Sequence, residues 1–227
     1  ATFLVLLFTP VLAQNVFADD DLTSMSLEDL MNINVTSVSK RPQKLIDAAS
    51  AIYVITQEDI RRSGATNIPD ALRRVPGIQV AHINANTWAI TSRGLNSFLS
   101  NKLLVLIDGR SVYSPMFSGV YWDVQDTLLE DIDRIEVIRG PGASLWGDNA
   151  VNGVINIITK HAEDTQGGLL STGYGNEQQG FGNLRYGSKI GNDAYFRVYS
   201  KYFNRDNAVD ASGKKTDDSW YAQRGGF

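Results

Sequence analysis

The sequence contains no cysteine, which excludes a disulfide framework and a thiolate-held metal. It has only two histidines, His82 and His161, too few for a His-rich metal or catalytic cluster. Basic charge is not in excess. Lys and Arg number 21 against 25 Asp and Glu, a net charge of -4, so the electrostatic footprint of a nucleic-acid binder is missing. No apolar run is long enough for a transmembrane helix. The run from Phe3 to Phe8 continues through Val11, Leu12 and Ala13, meets small residues at Ala13 and Ala18, and gives way to acid at Asp19. This pattern reads as a secretory signal over residues 1–18, cleaved after Ala18 or Ala13. A short buried helix is the alternative. The start Met and basic region of such a signal are missing, and Trp220 to Phe227 opens an aromatic segment and stops, so a clipped chain is expected at both ends.

What is present is the composition of a folded protein, 43% hydrophobic and 20% charged over 227 residues, enough for one or two domains. Leu22 to Met31 reads as a short amphipathic helix or flexible leader. Ile33 to Val38 is rich in β-branched residues, stops at Lys40-Arg41-Pro42, and suits an exposed strand able to pair. Ala51 to Ile55 reads as a buried strand. Thr56 caps a helix with Asp59 three residues on, and Gly64 ends it. A second helix is expected over Asn67–Val75, with Pro69 in its first turn. Strands follow at Ile78–Val80, Ala89–Arg93 and Leu103–Ile107, the last closed by an Asp108-Gly109 turn. Thr127 and Glu130 have capping-box spacing. Strands at Ile132–Ile138 and Val154–Ile158 complete one compact α/β domain.

The pattern changes after Lys160. Leu184, Tyr186 and Ile190 alternate with Asn183, Arg185, Gly187 and Lys189. After a Gly191-Asn192-Asp193 turn, Ala194, Phe196, Val198 and Tyr202 alternate with Tyr195, Arg197, Tyr199 and Lys201. A long polar stretch, Asn204 to Asp218, follows. Period-2 segments with one aromatic-apolar face and one polar face, joined by alternately short and long connections, mark a transmembrane β-barrel. A soluble sheet with one wet face has the same period.

Several blocks together resemble the plug of TonB-dependent outer-membrane receptors. They are Tyr53–Ile60, Ser63-Gly64-Ala65, Asp70–Gly77, Thr91–Gly94, Val105–Gly109, Ile135–Pro141, Ser144–Ala150 and Gly153–Lys160. One departure is Trp146, where a Tyr is commoner. The resemblance implies an α+β plug domain, a small mixed sheet with short helices, followed by the first antiparallel strands of a transmembrane β-barrel of about 22 strands. The implied division is a signal peptide (1–18), a periplasmic segment with the TonB box (19–44), the plug (45–160) and the start of the barrel (161–227).

The same resemblance implies location in the cell outer membrane, in contact with its lipid, and import of a scarce, large ligand, a ferric siderophore above all. TonB and its inner-membrane energising complex are the expected partners. No enzymatic chemistry, cofactor or metal is expected. The TonB box falls on Ile33, Asn34, Val35, Thr36, Ser37 and Val38. Outward plug loops place ligand contacts at Asn86, Asn96, Phe98, Ser100, Tyr113, Phe117, Tyr121 and Trp122. Arg93 and Arg139 are expected to meet acidic residues of the barrel wall. With so short a leader, no extra N-terminal signalling domain is expected.

Plainer alternatives accompany these motifs. Gly140 to Gly147 is glycine-rich but lacks the Lys-Ser/Thr ending of a phosphate loop. Asp123, Asp126, Glu130, Asp131 and Asp133 have no EF-hand spacing and no partner His, so they read as a solvated helix face. Asp108 is a turn residue and His82 a polar loop residue. The rival reading of the whole chain is a soluble periplasmic α/β binding or enzymatic domain with a β-rich tail.

Overall fold

The computed structural model describes residues 34–37, 40–45, 51–94, 96–141, 143–147, 149–191 and 193–227. The signal segment and Leu22–Met31 lie outside the described residues. Chain order begins with a two-stranded sheet of β1 (Asn34–Val35) and β2 (Gln43–Lys44). Strand β3 (Ile52–Thr56) leads into α1 (Gln57–Ser63) and α2 (Ile68–Leu72). A hairpin of β4 (Ile78–Asn84) and β5 (Thr87–Ser92) follows. Then come β6 (Leu103–Ile107), β7 (Arg110–Ser111), β8 (Ile132–Arg139), the short α3 (Ala143–Trp146) and β9 (Gly153–Thr159). The last four strands are β10 (Gly167–Gly173), β11 (Gln178–Ile190), β12 (Ala194–Arg205) and β13 (Trp220–Gly226).

Local chemistry fixes the first helix. The Thr56 hydroxyl accepts from the Asp59 amide at 3.2 Å, and the Asp59 carboxylate accepts from the Thr56 amide at 3.0 Å, a reciprocal capping box. Gly64 ends the helix at φ 68°, a left-handed position that costs glycine nothing. Asn67 caps α2 through the Asp70 amide. The expected cap at Thr127 is not made. Leu129–Asp131 is a 3-10 turn whose preceding residue, Leu128, is buried and supplies no side-chain cap.

The plug sheet is mixed, in the order β3-β8-β9-β6-β7. Its β6 and β9 run parallel and the other pairs are antiparallel. Both faces of its central strands are covered, so their sequences are near-continuous apolar runs rather than alternating ones. On one face Ile55, Val105, Ile135, Val137, Ile155 and Ile157 pack under α1, α2 and the β4–β5 hairpin. On the other, Leu104, Leu106, Ile138 and Val154 meet Ala150 and Trp146. Asp108 (φ 49°) and Gly109 (φ 77°) make the tight β6–β7 turn, and the Asp108 carboxylate accepts from the Thr159 amide at 2.8 Å.

Strands β10 to β13 form a separate antiparallel sheet in sequence order. Its outer face exposes Leu170, Leu184, Tyr186, Ile190, Val198 and Tyr202. The β11–β13 strands contain no acidic residue, and their cations (Arg185, Lys189, Arg197, Lys201, Arg205 and Arg224) all fall on the opposite, inner parity. Close approach to the 3-10 turn that links plug and strands (Ala162–Thr165) is visible at Gly187, where a Cβ would run into the Thr165 carbonyl. Among the described residues no helix is long and apolar enough to cross a membrane.

Candidate functional site

Three regions gather the residues that the sequence singles out. The first is the segment before the plug. Ile33 and Val38 lie outside the described residues. Asn34 is exposed, but Val35 and Ser37 are fully buried, contrary to the expectation of an exposed strand. The reason is Glu136, a fully buried carboxylate on the middle of β8. It accepts from the Thr36 amide at 3.0 Å and the Ser37 amide at 2.8 Å, and it is balanced by Arg134 Nε at 2.8 Å. The Trp146 indole donates to the Ser37 carbonyl at 2.8 Å, and Asn156 Nδ2 donates to its hydroxyl at 3.0 Å. Val35 pairs with Gln43, so the segment lies on the plug sheet without joining it as a strand.

The second region is the seam between plug and strands. Asp131, 1% exposed, receives Arg185 and also lies 3.5 Å from Arg197. Asp126 receives Lys201 Nζ at 2.7 Å, both nearly buried, with Arg224 at 3.8 Å. Arg224 also donates to the Asp123 carbonyl. Arg205 stacks its guanidinium over Trp88 and Phe203 and donates to the Thr66 hydroxyl at 3.1 Å. The carboxylates at 126 and 131 are therefore not a solvated helix face. They are desolvated partners of the inner strand wall, and a buried charge needs such partners. Lys160 accepts from Arg197 through its carbonyl. Burial, then the neighbouring Arg185 charge, holds its ammonium pKa below the ordinary lysine range. A cavity of about 370 Å³ opens in the seam between α1 and the inner wall, bounded by Ile60, Thr66, Glu130, Phe181, Asn183 and Lys201.

The third region carries the expected ligand residues, and the structure separates them. Trp122 is buried in the plug core and is not available for stacking on a ligand. The Tyr113 hydroxyl reaches the Asn101 and Leu103 carbonyls at 2.8 and 3.1 Å, and burial pushes its pKa up to about 12. Asn86 is spent on its own hairpin turn, accepting from Thr87. Ser100 closes a local turn with Ser97. Asn96, Phe98 and Tyr121 remain exposed. Phe117, half-buried, meets Tyr121 edge to face with centroids 4.9 Å apart. Near the tip of the β4–β5 hairpin, His82 lies in the strand rather than a loop, stacked on Trp88 and 3.7 Å from Glu177. There the Ala85 amide donates to Asp218 at 2.8 Å, and its carbonyl accepts from Trp220 at 2.9 Å. A cavity of about 710 Å³ lies beside this tip, between His82, Asn84, Glu177, Arg205, Asp206 and Lys215.

Arg93 sits at φ 65°, exposed, with its guanidinium beside Gly140. Arg139 donates to the Pro76 carbonyl at 3.0 Å, and its buried Nε has no partner. Among the described residues neither meets a carboxylate.

The fold has counterparts among known proteins. A family model described as the TonB-dependent Receptor Plug Domain matches residues 44–154. The chain belongs to the TonB-dependent receptors. The vitamin B12 transporter BtuB of Vibrio vulnificus is 33% identical over 147 residues, 64% of this chain and 23% of that protein. The BtuB of Photobacterium profundum is 30% identical over 246 aligned positions, 100% of this chain and 39% of that protein. The ferric-catecholate import receptor Fiu of E. coli K12 superposes with a TM-score of 0.56 at 27% identity, over 76% of this chain and 23% of the receptor. The chain thus spans about a quarter to two-fifths of the curated relatives just named. Family membership places this receptor in the outer membrane. Its mixed sheet with short helices is a plug, and the antiparallel strands after it carry the apolar face outward and the cations toward the plug.

Proposed function

We propose that this receptor imports a scarce, large ligand across the outer membrane by energy-coupled displacement of its plug, without covalent chemistry. The observation that carries the proposal is the contrast in how the plug is held. Its interior is apolar, whereas its attachments to the strand wall and to Thr36 and Ser37 include hydrogen bonds and ion pairs of low exposure. Polar attachments exchange for water when they are pulled apart, so they suit a part that must move and return. Ile33 to Val38 serves as the handle. Once extended, it adds as an edge strand to a periplasmic partner, TonB with its inner-membrane energising complex.

The ligand is read as a ferric siderophore. Phe98, Phe117 and Tyr121 present aromatic surface on the plug loops, suited to stacking on a flat chelating group. Asn96 supplies a polar contact beside them. A corrinoid is the second reading, favoured by the BtuB relatives. Arg93 and Arg139 are assigned to the far barrel wall, where an acid would satisfy the buried Arg139 Nε. The test is uptake of ferric siderophores and of cobalamin by cells expressing the full-length receptor, with and without TonB and a protonophore. Uptake that needs both TonB and proton-motive force is expected. Uptake that survives loss of TonB contradicts the proposal.

A further inference from the structure

Residues 36 and 37 are held in a way that conflicts with the extended conformation that strand addition requires. In a β-strand, successive amides point to opposite sides of the backbone. Here the Thr36 and Ser37 amides converge on one carboxylate oxygen of Glu136, at 3.0 and 2.8 Å. The backbone at this point is a turn, and the hydrogen-bonding groups of Ser37 are all engaged: its amide by Glu136, its carbonyl by Trp146 and its hydroxyl by Asn156. Glu136 is fully buried on a strand whose neighbouring residues, Ile135 and Val137, belong to the apolar core. It is the one acid among the buried side chains of the central plug strands β6, β8 and β9.

We propose that Glu136 is a latch that competes with the partner's strand for the Thr36 and Ser37 amides, and so sets the fraction of receptors whose handle is open. The inference rests on the reading of Ile33–Val38 as the coupling segment. Glu136 is fully buried, and it acts as a positioning residue through the segment it holds. Apparent affinity for a partner that binds only the open segment is the intrinsic affinity reduced by the open fraction. Weakening the latch therefore tightens partner binding without altering the binding surface. Hydrogen bonds to a charged acceptor are worth enough that neutralising it raises the open fraction about tenfold or more. Glu136→Gln keeps the shape, but it is uncharged and has one acceptor oxygen in place of two, so it cannot accept from the Thr36 and Ser37 amides on one side and from Arg134 on the other.

The test uses the full-length receptor in detergent or nanodiscs and the purified periplasmic domain of TonB as probe. Val35→Cys supplies a reporter, since Val35 is buried and residues 1–227 contain no cysteine; any cysteine elsewhere in the full-length receptor is first replaced by Ser. Adding Glu136→Gln is expected to speed labelling of Cys at 35 about tenfold and to tighten probe affinity by a similar factor, with ligand affinity unchanged. Unchanged labelling overturns the latch and leaves the coupling reading intact. Faster labelling with unchanged probe affinity overturns the competition, and the coupling reading with it. If Glu136→Gln fails to assemble, Glu136→Asp decides. It keeps the charge beside Arg134 but draws the carboxylate back from the Thr36 and Ser37 amides by one methylene, and it is expected to shift both readouts the same way by a smaller factor.

Discussion

The interior of the plug and the seam around it are built from opposite materials. In the interior, Ile55, Ile135, Ile155 and Ile157 are fully buried against one another, and each contributes about 1.5–3 kcal/mol by leaving water. At the seam, Asp126 and Asp131 meet Lys201, Arg185 and Arg197, all with little exposure. An aliphatic core is stable by itself and indifferent to its neighbour's identity. A charged seam is stable only with its partner present, because the desolvation cost of each ion is offset by the opposite one. Under the proposed function the difference marks which parts separate: the plug moves as a body, and its polar contact with the strand wall is what opens and closes.

The largest effect is expected from breaking the seam on one side. Asp131→Ala leaves Arg185 without its carboxylate and Arg197 with only the Lys160 carbonyl, and should cost about 3–5 kcal/mol of plug seating. Protease sensitivity at the plug–strand junction should rise, while near-ultraviolet signals from the buried Trp88 and Trp122 persist. Ile135→Ala should cost about 2–5 kcal/mol by opening a cavity, and here those signals should be lost with the plug's own fold. If the two variants behave alike, the distinction between body and seam fails. Thr56→Ala removes the reciprocal cap of α1 and should cost about 1 kcal/mol, read as a lower denaturation midpoint.

The smallest effect concerns the hairpin tip. The Asp218 carboxyl lies below its ordinary pKa, held there by the Thr216 hydroxyl and then the Ala85 amide. Its contribution is present above the ordinary aspartate range and is lost as pH falls through the depressed folded value. Amide exchange at Ala85 should therefore accelerate only in strong acid, after correction for the intrinsic rate. Asp218→Asn should remove that dependence.

Local chemistry was readable in the sequence where a structural signal lies within a few residues. Thr56, Asp59 and Gly64 announce a capped helix by their spacing, and Leu103 to Ile107 is a strand by apolarity and its Asp108-Gly109 turn. What depended on distant partners was not readable. Asp131 finds Arg185 across 54 positions, so an acidic stretch looked solvated. A useful signal was present nonetheless: every charge on β11 to β13 is positive and of one parity, which requires acids opposite. Trp122 and Tyr113 looked like loop aromatics because nothing local distinguishes a loop ring that folds into the core from one that faces out. Residues 34–37 looked exposed because the acid that holds them lies about a hundred residues later, inside an apolar strand.

The central claim is that the plug is moved by a pull on residues 33–38 while the ligand is held elsewhere. Val35→Pro tests it most directly, with uptake and ligand binding measured on the same cells expressing the full-length receptor. Proline removes a backbone donor and cannot occupy the interior of a paired strand, and Val35 lies outside the sheet formed by β3 and β6 to β9. The account predicts that uptake is abolished while ligand binding and receptor abundance are retained. Normal uptake, or uptake and binding lost together, would contradict it.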